Sequence, residues 1–144
     1  MSRLLAFDYG TRRVGVAVGQ SVTGTATPVT TLHSVRRQPD WDGISRLLAS
    51  WKPVALVVGI PYNMDDSENE MTRAAFRFGR QLSGRYHLPV HLMDERLTTI
   101  EAQRILAKDA NSGSCGKRLE KLDQVAAQLI LESWLATERH ARNP

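Results

Sequence analysis

The sequence predicts an α/β fold in which helices pack on a five-stranded mixed sheet, with elements in the order β-β-β-α-β-α-β-α-α. Three observations predict it. The first third of the chain carries short strand patterns separated by turns, the middle alternates between helical and strand patterns, and the last third carries apolar residues at helical spacing. A chain of 144 residues suits one domain, spanning 1–144.

The first elements are predicted to form a β-hairpin followed by an edge strand. Residues 4–7 are an apolar run, and residues 14–18 alternate valine with glycine and alanine. The link between them, residues 9–13, contains glycine and reads as a turn. Residues 25–32 are rich in threonine and valine and predict a third strand, where Pro28 favours a position at the sheet edge.

The middle of the chain alternates helix and strand. Residues 41–51 have apolar side chains at helical spacing, and Pro53 ends that predicted helix. Residues 54–58 are continuously apolar, which predicts a strand covered on both faces. A second helix is expected over 71–82, and a further buried strand over 90–93 ends at two acidic residues.

Two helices are predicted in the last part of the chain. Thr98 and Glu101 have the spacing of a capping box, which predicts a helix over 98–108. Residues 111–116 are small and polar and are expected to form a flexible link. Residues 122–134 carry an apolar stripe that predicts the final helix.

The charge, cysteine content and apolar runs of the sequence favour some classes of function over others. There are 19 basic and 15 acidic residues, a formal charge of +4, and 15 of the basic residues are arginine. This bias favours a polyanionic partner, although a solvated arginine-rich surface has the same composition. The single cysteine cannot form an internal disulfide, and no apolar run has membrane-spanning length. We therefore expect a cytoplasmic protein with no membrane partner.

Three acids stand out by their positions. Asp8 ends the first strand, Glu95 directly follows the last strand, and Asp123 lies on the final helix. Ligands of open α/β sheets collect beyond the carboxyl ends of the strands. If the first strand neighbours 54–58, and that strand neighbours 90–93, Asp8 and Glu95 emerge at one edge. Asp123 is expected on the rim of the helix's apolar stripe, where Ala126 and Ala127 leave space.

Clustered acids predict a cation site. Neighbouring carboxylates repel each other unless one is protonated or a cation intervenes, and Mg²⁺ prefers oxygen ligands. Each acid also has a simpler interpretation: Asp8 as a turn residue, Glu95 in a surface pair with Arg96, and Asp123 on a solvated flank. Asp94 is interpreted as an acid near the following helix N-terminus rather than as a ligand.

Four segments resemble, in order, the motifs of the YqgF-type, Holliday-junction-resolvase-like proteins: LAFDYGT with VGVA (5–11, 14–17), GIPYNMD (59–65), DERLTT (94–99), and KLDQVAA with LE (121–127, 131–132). The resemblance implies a ribonuclease-H-like fold and a metal-dependent nuclease, a hydrolase of ester bonds, which trims the 5′ end of pre-16S rRNA during ribosome biogenesis. It places the catalytic and metal-binding acids at Asp8, Glu95 and Asp123. The chain departs from the family pattern at Asp66 and Gln124.

The predicted mechanism is hydrolysis of an RNA phosphodiester with one or two Mg²⁺ or Mn²⁺ ions held by the three acids. Arg12, Arg13 and Arg96 are candidate nucleic-acid contacts, although Arg12 and Arg13 also fit a charged hairpin tip. Pre-16S rRNA is the favoured partner, branched DNA an alternative, and ribosomal particles a further candidate. A monomer or weak dimer is expected.

Three other functions remain open from the sequence. A resolvase of four-way DNA junctions would need a symmetric dimer in order to cut two strands. A sugar-kinase-like ATPase begins with a similar hairpin but pairs two such domains around its nucleotide. A non-catalytic RNA-binding module would carry acids that repel phosphate in the absence of metal. The four histidines lack zinc-helix spacing and are interpreted as structural, and the three tryptophans as core residues.

Overall fold

The computed structural model describes residues 2–95 and 115–142, with side chains described for 2–95 and 120–138. These residues form the strands β1 (Arg3–Tyr9), β2 (Arg13–Gln20), β3 (Thr25–His33), β4 (Ala55–Ile60) and β5 (Val90–Asp94), and the helices α1 (Trp41–Trp51), α2 (Glu70–Tyr86) and α3 (Cys115–Arg142). The α/β class is confirmed. Among these helices, none combines the length and apolarity needed to cross a bilayer.

The five strands form one mixed sheet in the order β3-β2-β1-β4-β5. β2 pairs antiparallel with both β1 and β3, whereas β1–β4 and β4–β5 are parallel pairs. The predicted neighbours are therefore confirmed, and the carboxyl ends of β1, β4 and β5 meet at one edge of the sheet. β3 is an edge strand, as Pro28 indicated, and its register with β2 shifts beside that proline.

The parallel strands β4 and β5 differ in burial. All six residues of β4 are buried, which confirms a strand covered on both faces, although Val54 precedes the strand and is exposed. β5 is not the buried strand that the sequence predicted, because it is outermost in the sheet and only partly covered: Leu92 is 45% exposed. A short apolar run thus indicated a strand correctly but overstated its burial.

The alternation of side chains along β1 divides the core into two layers. Leu5 and Phe7 face a layer completed by α1 and α2, in which Phe78 packs edge-on against Phe7. Leu4 and Ala6 face the other layer, which is closed by α3. Asp8 continues the even-numbered series, so its side chain points toward α3.

Local sequence explains where the first two helices begin and end. Asp40 caps α1 by accepting a hydrogen bond from the Gly43 amide, and Lys52 closes the helix in the left-handed conformation before Pro53. Asn69 and Thr72 form a reciprocal capping box at the start of α2. The Thr72 hydroxyl also donates to the Pro61 carbonyl, which ties α2 to the end of β4.

The last helix begins earlier than the sequence predicted. Cys115 and Gly116 were expected in a flexible link over 111–116, but both belong to α3. α3 crosses the sheet and contacts all five strands. The helix predicted over 98–108, with its Thr98–Glu101 capping box, lies outside the described residues.

Candidate active site

Asp8 and Glu95 meet where the parallel strands end. Asp8 is the penultimate residue of β1, and Glu95 extends β5 by one residue because its amide donates to the Ile60 carbonyl at 3.1 Å. The two carboxyl groups are in hydrogen-bond contact. The structure therefore brings these two predicted acids together, as the strand order required.

Gly59 makes room for the Glu95 side chain. The register that pairs Phe7 with Val58 places Gly59 beside Asp8, on the face that packs against α3. A Cβ at Gly59 would lie 2.5 Å from Oε2 of Glu95 and would overlap the end of the Ile130 side chain. Glycine is thus required for Glu95, which is only 7% exposed, to turn inward over the sheet.

Gly15 has the equivalent function for Asp123. It pairs directly with Asp8 across the β1–β2 ladder, so it lies on the other flank of the same carboxyl group. A Cβ there would overlap the Asp123 backbone, which shows how closely α3 crosses β2. Ala126 and Ala127, which were expected to open space near Asp123, are both buried under the helix. The close approach depends on Gly15 instead.

Asp123 is held by an arginine from the hairpin. Nε of Arg13 donates to Oδ2 of Asp123 at 2.7 Å, between residues 110 positions apart in the chain. The two side chains are 31% and 17% exposed, respectively, so this is a half-buried pair. Arg13 therefore joins the start of β2 to α3 and fixes the orientation of the third acid.

The electrostatics of the acids favour an added positive charge. The pKa of Asp8 is raised well above its ordinary value by burial, by Glu95 and by Asp123, against a smaller lowering by Arg13. Burial also raises the pKa of Glu95, against the hydrogen bond from Asp8. The pKa of Asp123 is raised by burial even though it is paired with Arg13. Three ionised acids here are costly without a cation.

A cleft of about 260 Å³ opens beside two of these acids, and Arg12 lies exposed on its wall. Its lining comprises Asp8, Tyr9, Gly10, Thr11, Arg12, Arg13, Met71 and Asp123. Larger cavities of about 490 and 350 Å³ lie around the first residues of β1, away from the acids. Arg96, the third predicted nucleic-acid contact, is outside the described residues.

The three carboxylates have the right chemistry for a hard divalent cation, but they are not arranged to surround one. All three candidate ligands are carboxylates, the oxygen donors that Mg²⁺ and Mn²⁺ prefer. Among the described side chains, those of residues 2–95 and 120–138, no three His, Cys, Asp or Glu residues are spaced to enclose a metal ion. The reason is visible at Asp123, whose carboxylate is directed to Arg13. Asp8 and Glu95 are the two candidate ligands whose carboxyl groups are in contact.

Sequence comparison assigns nearly the whole chain to one group. Residues 2–137 match the family model described as "RuvX: Holliday junction resolvase". A protein of Nitrosococcus oceani named "Putative pre-16S rRNA nuclease" is 48% identical over 141 residues, 97% of this chain and 90% of that protein. One of the same name from Azotobacter vinelandii is 49% identical over 133 residues, 92% of each chain.

Solved structures show the same fold at much lower identity. Thermus thermophilus RuvC in complex with a Holliday junction substrate has a TM-score of 0.53 and 15% identity, with 96% of each chain covered. The fowlpox virus resolvase in complex with Holliday junction DNA has a TM-score of 0.57 and 11% identity, covering 94% of this chain and 98% of that one. These structures confirm the ribonuclease-H-like fold that the sequence motifs implied.

Proposed function

The chain belongs to the family described as RuvX, Holliday junction resolvase, and from that premise we propose that it is a divalent-metal-dependent nuclease that hydrolyses RNA phosphodiesters. One observation carries the proposal. Asp8, Glu95 and Asp123, which are remote in sequence, converge at one edge of the sheet with pKa values raised in each case. Buried acids with raised pKa values beside a cleft are typical of catalytic sites.

The three acids are the proposed ligands of the cation. Asp8 is the central ligand, because it contacts Glu95 on one side and lines the cleft with Asp123 on the other. A bound Mg²⁺ or Mn²⁺ would supply Lewis-acid polarisation of the phosphodiester and activation of water. In its absence, burial and the neighbouring acids raise the pKa of Asp8, and Arg13 pairs with Asp123.

Two arginines on the cleft wall are the proposed phosphate contacts. Arg12 is exposed beside the cleft, and Arg13 is held at its edge by Asp123. The planar guanidinium donates two parallel hydrogen bonds to phosphate oxygens, which positions a phosphodiester. Since Arg13 uses Nε for Asp123, it both orients that acid and presents its remaining N–H groups toward substrate.

The proposed substrate is the 5′ region of pre-16S rRNA, cut in the cytoplasm during ribosome biogenesis. The names of the relatives that are 48–49% identical support RNA. Branched DNA is the second candidate, because the matching family is described as a Holliday junction resolvase. A symmetric resolvase would be a dimer, so a light-scattering mass near 16.1 kDa would argue against this alternative.

The deciding experiment compares wild type and Asp8→Asn on labelled pre-16S rRNA and on a four-way DNA junction, with Mg²⁺, Mn²⁺ or a chelator. We expect cleavage of the RNA by wild type with metal, and none with chelator or with Asp8→Asn. Asp42→Asn, an exposed acid on α1, is the matched control and should cleave normally. If the wild type binds the RNA but cleaves it with neither Mg²⁺ nor Mn²⁺, the protein is instead a non-catalytic binding module.

A further inference from the structure

The segment between β3 and α1 contains a tight turn with arginine at both central positions. Val35 and Gln38 form an isolated antiparallel bridge, with N–H···O bonds of 2.8 and 2.9 Å in the two directions. Arg36 and Arg37 lie between them with φ angles of 51° and 66°. A two-residue turn with both central residues in the left-handed region is type I′, which strongly prefers Asn-Gly.

Packing does not explain why arginine occupies these strained positions. Both residues are exposed. Among the side chains that the structure describes, neither Arg36 nor Arg37 has a carboxylate partner at ion-pair distance. Unfavourable backbone conformations of this kind are concentrated at functional sites, where a required side chain outweighs the local cost. The turn presents two guanidinium groups to solvent at a fixed place.

The position of the arginine turn is fixed by hydrogen bonds to the residues that line the cleft. Ser34 donates twice to the hairpin turn between β1 and β2: its amide to the Arg12 carbonyl at 3.0 Å, and its hydroxyl to the Thr11 carbonyl at 2.7 Å. Arg36 follows Ser34 by two residues, so its Cα lies within about 7 Å of that anchor. The arginine turn is therefore fastened to the segment that carries Arg12 into the cleft lining.

We propose that Arg36 and Arg37, together with Arg12, form a phosphate-binding ridge that holds the substrate's phosphodiester backbone just outside the cleft. This inference rests on the proposed function. The acids of the cleft repel a polyanion, so much of the binding free energy must come from cations beside it. Contacts to phosphate carry no sequence information and are available in both nucleic acids, so the ridge would hold RNA and DNA alike.

The test is the variant Arg36→Asn/Arg37→Gly, which gives the turn its preferred residues while removing both charges. All proteins carry Asp8→Asn to prevent cleavage, and binding of a labelled single-stranded RNA and of a four-way DNA junction is titrated over a salt series. We expect about 10-fold weaker binding, with the slope of log affinity against log salt reduced by about 1.4 for the single strand, the value for two phosphate contacts. The melting temperature should be equal to the parent's or up to about 3 °C higher.

Two controls separate local contact from net charge. Arg77→Gln/Arg80→Gln removes two exposed charges from α2 and should bind like the parent. Arg36→Lys/Arg37→Lys keeps both charges and should retain the parent's salt slope. The inference is overturned if the turn variant binds nucleic acid as tightly as the parent does. It is also overturned if the α2 variant loses as much affinity as the turn variant. Weaker binding of only one of the two nucleic acids would overturn the inference that the ridge contacts the phosphodiester backbone common to both. A parent that binds neither nucleic acid would overturn the proposed function as well.

Discussion

Replacing Gly59 with alanine should reduce catalysis far more than it reduces stability. The new methyl group would lie 2.5 Å from Oε2 of Glu95, whereas ordinary contacts begin at 3.4 Å, so the carboxylate must retreat by about 0.9 Å. The other overlapped atom belongs to the end of the Ile130 side chain. The two shortest contacts are therefore with side-chain atoms, Oε2 of Glu95 and Cδ1 of Ile130, and not with the backbone.

The expected loss of stability in Gly59→Ala is small, whereas the expected loss of catalytic rate is large. Overpacking a core costs about 1–3 kcal/mol, and this range applies here because Ile130 is fully buried. For a domain of this size, 1 kcal/mol corresponds to a melting temperature about 4 °C lower. Displacing a catalytic group by about 1 Å can cost about 100-fold in rate. Since proteins of this kind are stable by at least about 5 kcal/mol, Gly59→Ala would remain more than about 95% folded.

The assay is cleavage of labelled pre-16S rRNA with Mg²⁺, together with thermal unfolding followed by circular dichroism. Gly84→Ala is the matched control, because that glycine lies in α2 with nothing within 4 Å of the added methyl group. Alanine is favoured over glycine in a helix by up to about 1 kcal/mol, so Gly84→Ala should be more stable and fully active. Normal cleavage by Gly59→Ala would refute the position assigned to Glu95, and a rate loss no larger than the unfolded fraction would refute the reasoning about displacement.

Three further predictions follow from the same region. Gly15→Ala should be much more destabilising than Gly59→Ala, since it meets the Asp123 backbone; a melting temperature near the wild-type value would contradict the close helix crossing. With chelator present, raised pKa values at Asp8 and Glu95 mean that the folded state holds extra protons, so the unfolding free energy should fall as pH rises from about 4 through the raised values. Urea titrations of the wild type should show this fall in unfolding free energy, and those of Asp8→Asn should show a smaller one. Added Mg²⁺ should restore the unfolding free energy of the wild type at neutral pH. An unfolding free energy that rises with pH in both the wild type and Asp8→Asn would contradict the prediction. Asn69→Ala should remove the α2 cap and lower stability by about 1 kcal/mol, measured by urea unfolding, and an unchanged midpoint would count against that cap.

Much of the fold could be predicted because local patterns and long-range pairing agree. The continuous apolar run of β4 indicated a central strand, and the Pro28 position indicated an edge. Trp41, Trp51 and Trp134 all pack against the core layers, as their helical spacing predicted. Asp8 and Glu95 could be placed together because strand order alone determines which strand ends share an edge.

The remaining features depend on distances that no local pattern encodes. Nothing in the hairpin sequence indicates that Arg13 pairs with a helix 110 positions away. Gly15 and Gly59 lie within the motif segments, but their function becomes visible only when the Cβ that each lacks is placed against α3 and Glu95. The exposure of Leu92 likewise depends on which strand ends the sheet.

The order in which the acids occur along the chain has a consequence for synthesis. β1 is synthesised before α3, and α3 covers the sheet face formed by Leu4, Ala6 and Val57. A nascent or truncated chain that ends before α3 therefore exposes this apolar face. Such a chain also lacks Asp123, so it cannot bring all three acids together. The proposed nuclease activity would therefore begin only after α3 has been synthesised, and chains that lack α3 would be targets for chaperones and proteases.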